Sequence, residues 1–217
     1  MRAAMVATRH IFLHGFASGP QSKKGNALRA ALAARGVELA LPDLNAPDFA
    51  HLTHTRALAV LDREAGADGP VALVGSSLGG YLAARWAELH PERVTRLVLL
   101  CPGFDMIARW PQLLGADAIA RWRAHGALHF ADGAGVQTPV HWGFIEDALR
   151  HPATPEVACP TLILHGIHDV VVPIAGSRAY AAAHKNARLI ELDDDHALIG
   201  QLDRVIAETL AFLEPSG

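Results

Sequence analysis

The sequence predicts an α/β fold of three layers, a reduced and mostly parallel sheet of about six strands with helices on both faces. Three observations carry this expectation. Short apolar runs alternate with helix-length amphipathic segments, which implies a parallel sheet covered on both sides. The runs lack a period of two, as expected of strands buried on both faces. Ser77, Asp169 and His196 each fall just past the end of such a run, at the sheet edge where open α/β folds bind ligands.

The elements follow in order. His10–His14 reads as the first strand. Lys23–Arg35 is an amphipathic helix, with Ala27, Leu28, Ala31 and Leu32 on one face and Gly36 as its stop. Val37–Leu41 is a strand closed by Pro42-Asp43, and Leu52–Glu64 is a helix. Val71–Gly75 is a strand that leads into the helix Leu78–Leu89, which Pro91 ends. Val94–Leu100, Leu162–His165 and Arg188–Leu192 are further strands, and Gln201–Leu213 is the last helix. No apolar run before His10 supplies another strand.

The segment 104–157 breaks the alternation and holds Trp110, Trp122 and Trp142, three of the chain's four tryptophans. It reads as two helices, a short hairpin around Asp132-Gly133-Ala134-Gly135, and a helix near Phe144–Arg150. One reading makes it a water-excluding roof, with Phe104, Trp110 and Trp142 as its substrate-facing surface. The other makes these rings the glue that holds the segment to the sheet.

Composition fits a single domain over 1–217 with an insertion at about 104–157: of 217 residues, 51% are apolar and 19% charged. A net charge of −3 gives no electrostatic support for a nucleic-acid partner. Lys23-Lys24 and the Arg121/Arg123 pair read as solvated helix faces. No apolar run approaches the roughly 20 residues of a membrane span. The first ten residues lack a signal-peptide core of about 7–15 apolar residues, so a cytoplasmic protein without stable membrane insertion is expected. The oligomeric state is not legible. Cys101 and Cys159 would lie at opposite ends of neighbouring strands, roughly 15–20 Å apart, too far for a disulfide. His51 and His54, like His165 and His168, are three apart but lack the further ligands of a zinc set, so no metal site and no cofactor are expected.

The strongest local signal is GSSLGG at 75–80, directly after Pro70-Val71-Ala72-Leu73-Val74. Gly75, Ser77 and Gly79 fit G-x-S-x-G, a strand-to-helix turn so tight that side chains two before and two after the serine would collide. Ser76 does not fit, because Leu78 stands two residues on. The turn strains the serine backbone and exposes its hydroxyl, while the next helix offers free N–H groups to a developing oxyanion. A serine nucleophile needs a histidine base, and the histidine needs a carboxylate that fixes its tautomer. Thr161-Leu162-Ile163-Leu164 is followed by Asp169, and Ala187–Leu192 by Asp193-Asp194-Asp195-His196, so acid and base occur in the order Ser, Asp, His.

On HGF at 14–16, GSSLGG at 75–80, HGIHD at 165–169 and DDDHAL at 193–198, the chain resembles the α/β-hydrolase superfamily along nearly its whole length. HGFASGPQSKKGNAL at 14–28 and GSSLGGYLA at 75–83 narrow the resemblance to small bacterial esterases of the YqiA/YcfP type. Parts of 104–157 are also similar to acyl-protein thioesterase-like and acyl-glucuronide esterase-like members. The resemblance implies Ser77 as nucleophile, His196 as general base and then acid, and Asp169 as the residue that orients it. It implies an oxyanion hole of the Phe16 and Leu78 amides, with His14 structural beneath it. Asp105, after the Leu97–Leu100 strand, is the rival acid, because some members place the acid one strand earlier. Asp169 could also be a turn or cap residue, and Asp193-Asp194-Asp195 only a solvated turn.

The expected activity is hydrolysis of a small carboxylic ester or thioester through an acyl-enzyme, without a cofactor. Peptide, C–C and perhydrolysis chemistries share the apparatus. A dehalogenase is disfavoured, since it needs a carboxylate where Ser77 stands. The alternative from another class is a catalytically silent binding module on the same fold.

Overall fold

The computed structural model describes residues 7–213. The reading of the first ten residues falls largely on 1–6, outside that range. The chain runs β1 (Arg9–Leu13), α1 (Lys23–Ala33), β2 (Leu39–Ala40), a 3-10 turn (Phe49–His51), α2 (His54–Ala65), β3 (Val71–Ser76), α3 (Leu78–Leu89) and β4 (Val94–Leu100). It continues α4 (Met106–Leu114), α5 (Ala116–His125), β5 (Ala127–Ala131), β6 (Gln137–His141), α6 (Gly143–Ala148), β7 (Thr161–Gly166), α7 (Ala175–Ala183), β8 (Ala187–Leu192) and α8 (Leu202–Leu213). No helix among the described residues is long and apolar enough to cross a membrane.

Six strands form one sheet in the order β2-β1-β3-β4-β7-β8, every pair parallel. Alternate residues of the apolar runs serve opposite cores. Leu13, Leu73, Leu97, Leu99 and Ile163 pack with α2 and α3, whereas Phe12, Val74, Val98, Leu100 and Leu164 pack with α1 and α8. Both sides of each strand are therefore apolar, which is why the runs show no period of two. The register pairs Leu13 with Gly75, Ser76 with Leu100, Leu100 with Leu164 and Gly166 with Leu192, so successive loops leave the sheet from one edge.

Two of the elements whose bounds differ from the sequence reading do so for a visible local reason. The strand expected at Val37–Leu41 is only two residues long, because the Val37 N–H is engaged on the Leu32 carbonyl at the end of α1. The helix expected from Leu52 starts at His54, where extended Thr53 caps it by accepting from the Arg56 N–H at 3.1 Å.

The segment 104–157 folds as α4, α5, the antiparallel β5–β6 hairpin and α6. Its centre is Trp122, fully buried, whose indole N–H donates to the Val140 carbonyl at 2.8 Å and whose ring meets Trp110, Phe130, Trp142 and Phe144. Trp122→Ala would leave a large cavity and an unpartnered carbonyl. We expect a loss of about 3–5 kcal/mol in urea unfolding; a loss below about 0.5 kcal/mol, the scale of an ordinary surface change, would contradict this packing.

Candidate active site

Ser77 sits between β3 and α3 with φ 54° and ψ −117°, a conformation L residues rarely adopt. Its N–H donates to the Leu100 carbonyl at 2.9 Å, and its carbonyl accepts from Tyr81 N–H at 3.1 Å and Gly103 N–H at 2.9 Å. A Cβ on Gly75 would overlap the Gly79 carbonyl, and one on Gly79 would overlap the Leu13 carbonyl. These contacts are the physical reason for the glycine spacing. Ser77 makes no side-chain cap bond to α3, which leaves its hydroxyl free to face outward.

His196 Nε2 lies 3.0 Å from Ser77 Oγ, and His196 Nδ1 lies 2.6 Å from Asp169 Oδ2. The acid is fully buried, while the imidazole is 24% exposed. Asp169 Oδ1 accepts from the Val171 and Val172 N–H groups at 2.9 and 2.7 Å. Burial alone would push the Asp169 carboxyl up. Hydrogen bonds from His165 and His196, the charge of His196 and the Val172 amide outweigh it and hold the carboxyl well below the usual carboxylate range.

The three aspartates before His196 build its turn rather than merely solvate it. Asp194 accepts from Asp195 N–H and Gln201 N–H, and Asp195 accepts from Ala197 N–H. Asp193 faces His168 Nε2 at 2.8 Å. Leu198 follows at φ 53° and is fully buried, anchoring the loop in the α1/α8 core.

The amides of Leu78, directly after the serine, and of Phe16, directly after Gly15, are the two candidate donors. Gly15 packs so close that a Cβ there would be 3.3 Å from Ser77 Cβ. Among the described residues neither amide has an acceptor. The Phe16 ring is gripped by Phe49, Trp110, Phe130 and Phe144 at 5.1–5.2 Å. His14, buried beneath, accepts the Leu44 N–H on Nε2 at 3.0 Å, and burial lowers its pKa.

A model of the family described as "Uncharacterised protein family (UPF0227)" matches residues 9–214. The chain belongs to this family. It is 29% identical over 158 residues to the palmitoyl-protein thioesterase ABHD10 of Rattus norvegicus, covering 64% of this chain and 53% of that protein. It is 25% identical over 159 residues to the pimeloyl-[acyl-carrier protein] methyl ester esterase of Chromobacterium violaceum, covering 56% of this chain and 61% of that protein. The chain thus spans about half to three fifths of the length of these curated relatives. The solved structure of mouse alpha/beta hydrolase domain-containing protein 10 superposes with a TM-score of 0.76 at 22% identity, covering 97% of this chain and 91% of that one. The likeness shows that this chain has an α/β-hydrolase fold.

In this UPF0227 chain the remaining sequence candidates are placed as follows. Asp105 is exposed, left-handed at φ 53°, and its N–H binds the Ala153 carbonyl; among the described residues no hydrogen bond joins it to His196. Phe104 is 7% exposed and stacked on Tyr180 at 4.8 Å. Trp110, also 7% exposed, abuts Phe16, and part-buried Trp142 abuts Trp122. Two neighbours of the site escaped the sequence reading. His165, singled out there only as one of a histidine pair without a zinc set, is fully buried with Nε2 2.8 Å from the Val172 carbonyl and 3.2 Å from Asp169 Oδ2. Its Nε2 carries a hydrogen, since the Val172 carbonyl can only accept, and its Nδ1 meets the Ser177 hydroxyl at 2.8 Å. Lys24, read as a solvated helix face, instead donates to the Ala197 carbonyl at 2.7 Å, and burial lowers its pKa.

Among the described residues the one group with metal-ligand character is Cys101, His165 and Asp169, all buried. The ring and carboxylate are already engaged in the bonds above, and burial pushes the Cys101 thiol far up, so the group supports the acid instead of offering open ligands.

A carboxyl whose folded pKa is depressed contributes stability above its unfolded value, about 3.9, and loses it as pH falls further. Asp169→Asn should therefore cost about 1.5–3 kcal/mol at pH 7, the range of charged hydrogen bonds. In denaturant titrations the gap to wild type should narrow below about pH 4. A gap that stays constant into acid would contradict the buried, bonded carboxylate.

Proposed function

We propose that the chain is a serine hydrolase that cleaves a small carboxylic ester or thioester through an acyl-enzyme. The observation that carries this reading is the continuous chain Ser77 Oγ, His196, Asp169 at 3.0 and 2.6 Å. The esterase and thioesterase named above support it by similarity.

Ser77 Oγ attacks the substrate carbonyl while His196 Nε2 takes its proton. The carbonyl oxygen becomes an oxyanion between the Phe16 and Leu78 N–H groups. Asp169 keeps Nδ1 protonated and balances the imidazolium. The imidazolium then protonates the departing alkoxide or thiolate, which leaves the acyl group on Ser77. His196 next deprotonates a water that attacks this ester, and Ser77 leaves with the returned proton. The segment 104–157 acts as the roof. Through Phe16, its ring Trp110 fixes the loop that carries one oxyanion amide, while Phe104 and Trp142 shape the cover over the acyl group.

Hydrolysis of p-nitrophenyl esters of increasing acyl length checks the reading. Ser77→Ala should lose about 10⁴- to 10⁶-fold in kcat, as triad serines do. Asp169→Asn should lose about 10³- to 10⁴-fold, and Asp105→Asn should stay near wild type. Full activity in Ser77→Ala would remove the serine mechanism, and full activity in Asp169→Asn would remove Asp169 from it.

A further inference from the structure

A second histidine stands on the triad acid, and the proposed reaction leaves it without a part. His165 belongs to β7, whose six residues are all buried, and its side chain has no exposed surface. Leu162, Ile163 and Leu164 precede it. An apolar residue at 165 would fill the same point of the core without the cost of desolvating an imidazole. Both ring nitrogens instead have partners. Nδ1 meets the hydroxyl of Ser177, on the first turn of α7, at 2.8 Å. The Nε2–H is aimed at the Val172 carbonyl at 2.8 Å. These two contacts fix the ring, and they leave Nε2 3.2 Å from Asp169 Oδ2.

Oδ2 is also the atom that faces His196 Nδ1, at 2.6 Å. Rotation about the terminal torsion of an aspartate meets little intrinsic resistance, so the donors around the carboxylate decide its orientation. The Val171 and Val172 amides hold Oδ1. On Oδ2, His165 sets the positive side of a second N–H dipole beside that of His196. It does so from a buried strand, whereas His196 lies on a turn and is 24% exposed. The same ring reaches Oδ1 through Val172, whose carbonyl takes the Nε2 hydrogen and whose N–H goes to Oδ1.

We propose that His165 is a positioning residue, which pins the Asp169 carboxylate in the orientation that His196 requires when it takes the Ser77 proton. This rests on the serine-hydrolase reading of Ser77, His196 and Asp169. Without the Nε2 edge, Oδ2 turns out of line with His196 Nδ1, and the imidazolium forms with weaker compensation. The loss falls on the chemical step and not on substrate binding, because a side chain without exposed surface cannot touch substrate.

Two amide substitutions separate the Nε2 edge from the rest of the ring. In His165→Asn the amide reaches only to the place of Nδ1. In His165→Gln it reaches the place of Nε2 and carries two hydrogens, one for the Val172 carbonyl and one for Oδ2. With a p-nitrophenyl ester, kcat of His165→Asn should fall about 10- to 100-fold, the scale of losses when the partner that orients a catalytic group is removed. KM should stay within about twofold of wild type, and His165→Gln should recover kcat to within about threefold. Proton NMR of the resting protein reads the same contact without turnover. The His196 Nδ1 proton, identified by its absence in His196→Ala, should give a far-downfield line in wild type and His165→Gln, and a line broadened by exchange in His165→Asn. If the asparagine variant does not fold, His165→Phe, close to the ring's own volume, takes its place with the same expectations. Wild-type kcat with an unchanged line in the variant that lacks the edge, or a His165→Gln that falls as far as that variant, would overturn the proposal. A wild type that turns over no ester, with the line lost in His165→Asn and kept in His165→Gln, would remove the hydrolase reading while upholding the hold of His165 on Asp169.

Discussion

The backbone of Ser77, held at φ 54° and ψ −117°, is the constraint on which the site depends. A non-glycine residue there costs about 1–3 kcal/mol and persists only where the surroundings over-determine it. Here they do. The Ser77 amide is tied to β4 through Leu100, and its carbonyl to α3 and to Gly103. The absent side chains of Gly75, Gly79 and Gly15 let β3, α3 and the β1 loop close on the same few ångströms. The parallel register of β1, β3 and β4 brings those three pieces together, so sheet packing and site geometry are one structural fact.

Around that point the polar groups are fixed before any substrate arrives. The Asp169 side chain has no exposed surface and is bonded on both oxygens, so it cannot rotate away from His196 without breaking buried bonds. His165 stands behind it, itself locked by Ser177 and the Val172 carbonyl. The His196 turn is held from below by Leu198 in the core and from α1 by Lys24. On the other side Phe16 joins the β1 loop to the aromatic cluster of the roof, so movement of the 104–157 segment and the position of the Phe16 amide are mechanically linked. Supports of this kind reduce the reorganisation a reaction would otherwise require.

Much of this was legible in the chain. The helix Leu78–Leu89 and the strand Val94–Leu100 have the bounds read from apolar runs and Pro91, because both are governed by local signals. Ser77, Asp169 and His196 could be singled out because each follows a strand, and the structure joins them by hydrogen bonds. What escaped notice depends on distant partners. Lys24 looked like a solvated lysine, since its acceptor at Ala197 is 173 residues away. His165 stood in the chain only as half of a histidine pair without a zinc set; its place four residues before Asp169 was the available signal. The shortness of β2 followed from one amide, Val37, being captured by the preceding helix.

Covalent labelling tests the central claim, an activated serine at the β3–α3 turn, most directly. The folded protein would be treated with an organophosphonyl fluoride, which needs a nucleophile, a base and an oxyanion site but no knowledge of the natural substrate. Intact mass and peptide mapping would then locate the adduct. The proposed triad predicts a single phosphonyl group on Ser77, formed far more slowly in His196→Ala. A folded wild-type chain that takes up no label, or takes it up at another residue, would contradict it.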